Sequence, residues 1–145
     1  MELRFVSPAL ASLDEIDSEV LVCAVWSDIR PVHGVAGLCD WRLGGRLSAL
    51  MRRGELTGRL GEVAMVPGKP KLTFDKLLVF GSGSRDAFDD DVFRRMVAHM
   101  LATMEGLCAR VGVVELPHRV DGCRARRRCG WRRWAQLRTR GRDRV

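Results

Sequence analysis

The last 28 residues of the chain contain no lysine, although they carry eleven arginines and only two acidic residues, a net charge of +9. Residues 1–117 hold 14 Lys and Arg against 16 Asp and Glu, a net charge of −2, so the two parts sum to the overall +7. The basic excess therefore belongs to a tail. This distribution argues against a basic, nucleic-acid-binding surface on the first 117 residues.

The sequence also lacks the usual signals of secretion, membrane insertion and metal binding. No apolar run approaches the roughly 20 residues that a membrane-spanning helix needs, and the N-terminal residues contain no apolar signal-peptide core. None of the five cysteines forms a CxxC pair, no HExxH motif is present, and the run Asp89–Asp91 favours helix capping over metal binding. We therefore expect a cytoplasmic protein without a membrane partner, and we predict no catalytic and no metal-binding residue.

Apolar strands alternate with amphipathic helices in residues 1–117, a pattern typical of an α/β fold. The predicted strands are residues 3–6, 19–26, 61–66, 76–80 and 113–116, and the predicted helices are residues 36–53 and 93–108. We expect a break or a close backbone approach at Gly44–Gly45, an end of the second helix at Gly112, and a further strand after 113–116. The prediction is a mixed or parallel sheet flanked by helices.

Residues 118–145 have two alternative interpretations. As a functional segment they would bind RNA or DNA, because arginines pair with phosphates and tryptophans stack on bases. The candidate contacts are Arg126, Arg127, Arg128, Trp131, Arg132, Arg133 and Trp134. Natural basic tails usually mix lysine with arginine, however, and arginine alone is typical of a GC-rich gene translated out of frame. We prefer this second interpretation and predict a disordered tail with weak, salt-sensitive affinity for nucleic acid.

Three stretches carry a family resemblance: residues 37–48 (GLCDWRLGGRLS), 58–62 (GRLGE) and 76–83 (KLLVFGSG). Together they resemble the N-terminal domain of M17 leucyl aminopeptidases, and residues 114–117 (VELP) look like the next strand of that domain. The resemblance covers nearly all of residues 1–117. It implies a macro-domain-like α/β fold that helps to assemble a hexamer.

The same resemblance implies that the chemistry of the family lies elsewhere. Full-length members hold two divalent ions, Zn or Mn, in a separate C-terminal domain near an Asn-Thr-Asp-(Ala)-Glu-Gly-Arg-Leu stretch. No position of this sequence matches that stretch, so no catalytic residue, metal ligand or cofactor is carried over. We expect a non-catalytic, truncated assembly or regulatory domain at residues 1–117 whose partner is another copy of itself or a full-length M17 aminopeptidase.

Two groups of residues in the domain are candidate sites. Gly81, Ser82, Gly83 and Ser84 lie between a strand and a helix, where macro domains bind ADP-ribose and backbone amides can hold phosphate. A tight turn that lets strand and helix pack is the alternative that we favour. Asp40, Trp41 and Arg42 could serve self-association, although we expect Trp41 in the core and the two charged residues in an ion pair or a cap. Cys23, Cys39 and Cys108 lie in apolar runs and are expected to act as small hydrophobes.

Overall fold

The computed structural model describes residues 2–6, 10–16, 18–117 and 134–138. In chain order the elements are β1 (Glu2–Val6), α1 (Leu10–Glu15), β2 (Val20–Val25), α2 (Gly34–Arg42), α3 (Arg46–Arg52), β3 (Val63–Pro67), β4 (Lys76–Gly81), α4 (Asp90–Gly106), β5 (Val111–Glu115) and β6 (Trp134–Arg138). The five strands and the second long helix predicted from the sequence are all present, with ends shifted by a few residues.

The strands form one mixed sheet in the order β1-β6-β5-β2-β4-β3. Its centre is parallel, because β2 pairs in parallel with β4 on one side and with β5 on the other. The outer strands β3 and β6 run antiparallel to β4 and β5, and β1 runs antiparallel to β6. The mixed sheet predicted from the sequence is thereby confirmed.

Both faces of the central strands are buried, which explains their continuous apolar runs. On one face, residues such as Leu21, Cys23 and Val79 pack with α1, α2 and α3. On the other face, Val22 and Phe80 pack against α4, whose buried residues are Val92, Met96, Met100 and Met104. The result is a three-layer arrangement of helix, sheet and helix, as the sequence pattern predicted.

The helix predicted at residues 36–53 is two helices, because the chain turns at Gly44 and Gly45. Both glycines have positive φ angles, 70° and 80°, which a side chain would oppose. The N–H of Gly44 donates to the carbonyl of Trp41, and that of Gly45 to the carbonyl of Asp40, so α2 ends in a Schellman motif. The glycine pair therefore marks the break that the sequence suggested.

The predicted end of α4 at Gly112 is wrong, because the helix stops at Gly106. Gly112 lies in β5, where a Cβ atom would come within 2.1 Å of Cε of Met104. A small residue is needed here for packing and not for ending a helix. The turn after α4 instead places Cys108 in an exposed, left-handed conformation with φ 53°, so the prediction that Cys108 is buried is also wrong.

The prediction of a disordered tail does not describe residues 134–138, which form β6 between β5 and β1. This strand is the successor to β5 that the alternation of elements required. A five-residue strand is fixed by the backbone hydrogen bonds of its neighbours, so its own sequence carries little periodicity. Residues 118–133 and 139–145 lie outside the described residues.

Candidate ligand cleft and the predicted site residues

A cleft of about 310 Å³ opens at the carboxyl ends of the parallel strands. Strands β4 and β5 lie on opposite sides of β2, and the chain leaves β2 and β4 towards opposite faces of the sheet, a place where α/β proteins commonly bind ligands. Its walls are largely apolar and include Trp26, Ile29, Val32, Met51, Leu116 and Pro117. The polar lining comes from His33, Arg85 and Glu115.

Glu115 joins the end of β5 to the start of α2. Its Oε1 accepts a hydrogen bond of 3.2 Å from the N–H of Val35, in the first turn of the helix. The residue at the N-cap, His33, provides no side-chain bond, so a remote carboxylate takes over the capping role. Gly34 permits this contact, because a Cβ atom there would lie 2.6 Å from Oε1 of Glu115.

The predicted loop of Gly81 to Ser84 does not line the cleft, although it lies close to it in sequence. The N–H groups of Gly81, Ser82 and Gly83 donate to the carbonyl groups of Glu62, Val25 and Gly58, at 2.8, 2.8 and 2.9 Å. A Cβ atom on Gly81 would lie 1.9 Å from the carbonyl oxygen of Arg59. This geometry favours the tight-packing interpretation over a phosphate-binding loop, because these three amides are used within the domain.

Asp40 is a helix cap, as the sequence allowed. It is buried at the end of α2, and its Oδ1 accepts hydrogen bonds from the N–H groups of Leu47 and Ser48 at 2.7 and 3.1 Å. The N-cap of α3 is Gly45, which has no side chain to offer. Asp40 therefore caps the helix that follows its own, and the stretch DWRLGGRLS encodes a joint between two helices.

Trp41 is 69% exposed, so the expectation that it belongs to the core is wrong. It follows buried Cys39 and Asp40 on the outward side of a short helix. The guanidinium of Arg42 lies 5.6 Å from the centre of its ring and also pairs with Asp14. The ion pair expected for Arg42 is thus present, with Asp14 as its partner, and the Trp41 ring is left at the surface.

Glu62 is a structural residue that the sequence singled out only as part of a motif. Its carboxylate accepts hydrogen bonds from the N–H and hydroxyl of Thr57, at 3.0 Å each to Oε2, and from the N–H of Gly58 at 2.6 Å. Burial acts to raise the pKa of Glu62, but these donors outweigh it and hold the pKa below its ordinary value. The GRLGE stretch is therefore a loop clamped by its last residue.

Two of the three described cysteines are buried thiols. Burial, with smaller contributions from Glu115 and Asp40, raises the pKa of Cys39 to about 12. Burial also raises the pKa of Cys23 well above its ordinary value, with Cys39 and Glu115 adding to the effect. Neither thiol is activated as a nucleophile, so both behave as the small hydrophobes that the sequence predicted.

Within the described residues, no three His, Cys, Asp or Glu side chains come together in a way that could hold a metal ion. The helices of that same part of the chain include none with the length and apolar character of a membrane span. Among the candidate nucleic-acid contacts, only the backbone of Trp134 is described, at the start of β6. The other six, Arg126 to Arg133, lie outside the described residues.

A mixed sheet between helices, with a cleft at the carboxyl ends of its parallel strands, defines a macrodomain-like α/β domain. The macrodomain of Mycobacterium tuberculosis DarG superposes with a TM-score of 0.50 over 68% of this chain and 66% of that one, at 18% sequence identity. The likeness concerns the fold. The macro-domain-like architecture implied by the sequence resemblance is thereby confirmed.

The chain belongs to the cytosol aminopeptidase family, whose N-terminal domain it matches over residues 27–126. A probable cytosol aminopeptidase of Pseudomonas fluorescens (strain Pf0-1) is 32% identical over 118 residues, which are 80% of this chain and 23% of that protein. A cytosol aminopeptidase of Pseudomonas aeruginosa PAO1 is 29% identical over 94 residues, 65% of this chain and 19% of that protein. The chain thus spans less than a quarter of the length of these relatives.

Proposed function

We propose that the described domain is a non-catalytic assembly or regulatory module of the cytosol aminopeptidase family, and that it acts in the cytoplasm. Its partner would be a second copy of the chain or a full-length aminopeptidase of the family. The support begins with the family match, which is to the N-terminal domain. The two divalent ions that the resemblance assigns to the family's other domain would not be held by this one.

The acidic residues of the domain have structural tasks, which supports a role other than hydrolysis. Asp40 caps α3, Asp89 caps α4 through a bond of 2.8 Å from the N–H of Val92, and Glu115 caps α2. Glu62 clamps the loop before β3. A two-metal hydrolase needs several carboxylates that converge on one point, whereas these four serve four different turns.

The observation that carries the proposed assembly role is the exposed ring of Trp41. Tryptophan is enriched among the residues that dominate binding energy at protein interfaces. Here its ring lies on a short helix fixed by the Asp40 cap and beside Arg42, so little side-chain freedom remains to be lost on binding. An anchor of this kind indicates a contact surface.

Sedimentation of the purified chain, alone and mixed with a full-length relative, tests this role. We expect Trp41→Ser to weaken association by about 2 kcal/mol or more, roughly 30-fold, because an anchoring ring is lost. Leu107→Ser is the matched control, since Leu107 is 38% exposed next to the last turn of α4, on the other side of the sheet. Sedimentation as a monomer in both experiments, or equal effects of the two variants, would contradict the proposal.

The non-catalytic part has a separate test. The purified chain is incubated with leucine p-nitroanilide and Mn²⁺ or Zn²⁺, and the release of p-nitroaniline is followed against a blank without protein. We expect no release above the blank. Metal-dependent turnover would refute this part of the proposal and leave the assembly role to be judged by sedimentation.

We further propose that the folded domain corresponds to residues 1–117 and that residues 118–145 are an appended segment. Both clusters of buried residues lie between Leu13 and Val114. The alternative of ADP-ribose binding by Gly81 to Ser84 has less support, because three of the amides in that loop already donate to carbonyl groups. Nucleic-acid binding stays a prediction for the tail alone.

A further inference from the structure

We propose that the cleft at the carboxyl ends of β2, β4 and β5 binds a small aliphatic amine, whose ammonium group pairs with Glu115 while its apolar part lies between the hydrophobic walls. This site is distinct from the Trp41 surface. The inference goes beyond the assembly role and does not depend on it.

The walls select an apolar group. Trp26 is held edge-to-face against Phe88, with the ring centres 4.9 Å apart, so it forms a firm side of the cleft. Val32 and Met51 are partly buried against the core behind it. A volume of about 310 Å³ is at the lower end of the range of small-molecule sites, so the occupant has few heavy atoms.

The charge comes from Glu115. Its carboxylate is half-buried and spends one oxygen on a single N–H of α2 at 3.2 Å, and a carboxylate can accept several hydrogen bonds. An ammonium group brings up to three donors and the opposite charge, and both interactions strengthen where apolar walls exclude water. The negative field of Glu115 is felt as far as Cys39, whose raised pKa it supports in addition to burial.

The same contact disfavours a phosphate. The first turn of α2 is the natural anion site in the cleft, because its N–H groups point towards the opening. Glu115 already occupies that place, and Gly34 lets it approach so closely that a Cβ atom would lie 2.6 Å away. A phosphate would meet a carboxylate there, whereas a cation would find an attractive partner.

Arg85 lies on the far side of the cleft from Glu115. Their strands β4 and β5 are separated by β2, which corresponds to about 10 Å at roughly 4.8 Å per strand spacing. The N–H of Arg85 also donates to Oδ2 of Asp28 at 3.1 Å, so an acidic residue stands beside it. A cation next to Glu115 therefore avoids the one permanently charged base in the lining.

Three isosteric probes test the charge preference: 3-methylbutylamine, 3-methylbutan-1-ol and 4-methylpentanoate. Each is titrated into the ¹⁵N-labelled full chain while the indole N–H signals of Trp26 and Trp41 are followed. We expect the amine to saturate the shift of Trp26 with an affinity at least tenfold above those of the alcohol and the acid. Trp41 lies outside the cleft and should not move.

Two variants test the assigned residue. Glu115→Gln keeps the shape and an acceptor for Val35 but removes the charge, and it should weaken amine binding at least tenfold without changing the response to the alcohol. Glu105→Gln, at an exposed acid on α4, is the matched control and should leave the amine affinity unchanged. If Glu115→Gln unfolds, Ile29→Lys replaces it, because a lysine in the lining should compete with the amine.

Three outcomes would overturn the proposal. The first is equal affinity for amine and alcohol, and the second is amine affinity that survives both Glu115→Gln and Ile29→Lys. The third is the absence of any Trp26 shift up to the solubility of the amine. ADP-ribose is titrated in parallel, and saturable binding of this phosphate ligand at Trp26 that the amine cannot displace would likewise count against an amine site.

Discussion

Cys108 holds a backbone conformation that glycine adopts at two equivalent points of the chain. The N–H of Cys108 donates to the carbonyl of Glu105 and that of Ala109 to the carbonyl of Met104, so α4 ends in the same Schellman motif as α2 and α3. The left-handed position is Gly44 after α2 and Gly54 after α3, with φ 70° and 74°. A cysteine at φ 53° carries a steric cost there that the two glycines avoid.

Replacing this cysteine should stabilise the protein. We expect Cys108→Gly to raise the free energy of unfolding by about 1 kcal/mol, because the strain of the left-handed conformation is relieved. Gly54→Ala is the converse change and should lower it by a similar amount, since no atom lies within 4 Å of the added Cβ and only the backbone strain counts. Urea denaturation measures both, and a destabilising Cys108→Gly would contradict this account of the turn.

The Asp40 cap gives a second prediction for a single residue. Asp40→Ala leaves the N–H groups of Leu47 and Ser48 without their acceptor, so we expect a loss of about 1–2 kcal/mol in urea denaturation. Asp14→Ala is the control, because it removes only an ion pair at the surface with Arg42 and should cost less than about 0.5 kcal/mol. Equal losses in the two variants would argue that Asp40 acts through charge and not as a cap.

At the scale of elements, the loop between α3 and β3 depends on Glu62 in a way that pH should reveal. The pKa of this carboxyl is depressed in the folded protein, so the unfolded chain takes up a proton first as pH falls. The stabilisation by Glu62 is therefore complete above its ordinary pKa of 4.5 and is lost as pH drops through the folded value. The loop should loosen in acid before the central strands do.

The corresponding measurement compares the wild type with Glu62→Gln across pH. At neutral pH the variant should be less stable by about 1–3 kcal/mol, because hydrogen bonds from Thr57 and Gly58 to a charged acceptor are weakened. The difference should stay constant down to about pH 5 and shrink below about pH 4.5. A difference that persists unchanged to about pH 3 would exclude the charge of Glu62 as its cause.

The sequence predicts the strands of this fold better than the ends of its helices. Strands β2 and β4 are continuous apolar runs, and burial on both faces produces that pattern directly. The limits of α2 and α3 depend instead on carboxylates that approach from elsewhere, Glu115 on β5 and Asp40 on the preceding helix. Such caps follow from tertiary contacts, which periodicity in a single sequence does not contain.

The candidate cleft was not predictable for a related reason. Its lining comes from the end of β2, the start of α2, Met51 of α3, the loop after β4 and the end of β5. The sequence pointed to Gly81–Ser84, the most glycine-rich of these regions, but the glycines there serve close packing of backbone against backbone. Only the order of the strands brings Glu115 and Trp26 to one opening.

For the molecule as a whole, both hydrophobic clusters are complete without the last 28 residues. We therefore predict that a chain ending at Pro117 unfolds cooperatively and keeps slow amide exchange in β2 and β4. Exchange in residues 2–6 should become fast, because β1 loses β6, the strand with which it pairs. Hydrogen exchange followed by mass spectrometry checks both, and collapse of protection in β2 would show that the domain boundary lies beyond Pro117.

The position of β6 between β1 and β5 has a consequence for the order of events during translation. Strand β1 is synthesised first, yet the neighbour that holds it to the sheet is made more than a hundred residues later. While the ribosome adds β2 to β5, the opening segment has no ladder to join, and the nascent centre must mature with one margin uncovered. The final insertion stitches the earliest and the latest parts of the polypeptide together.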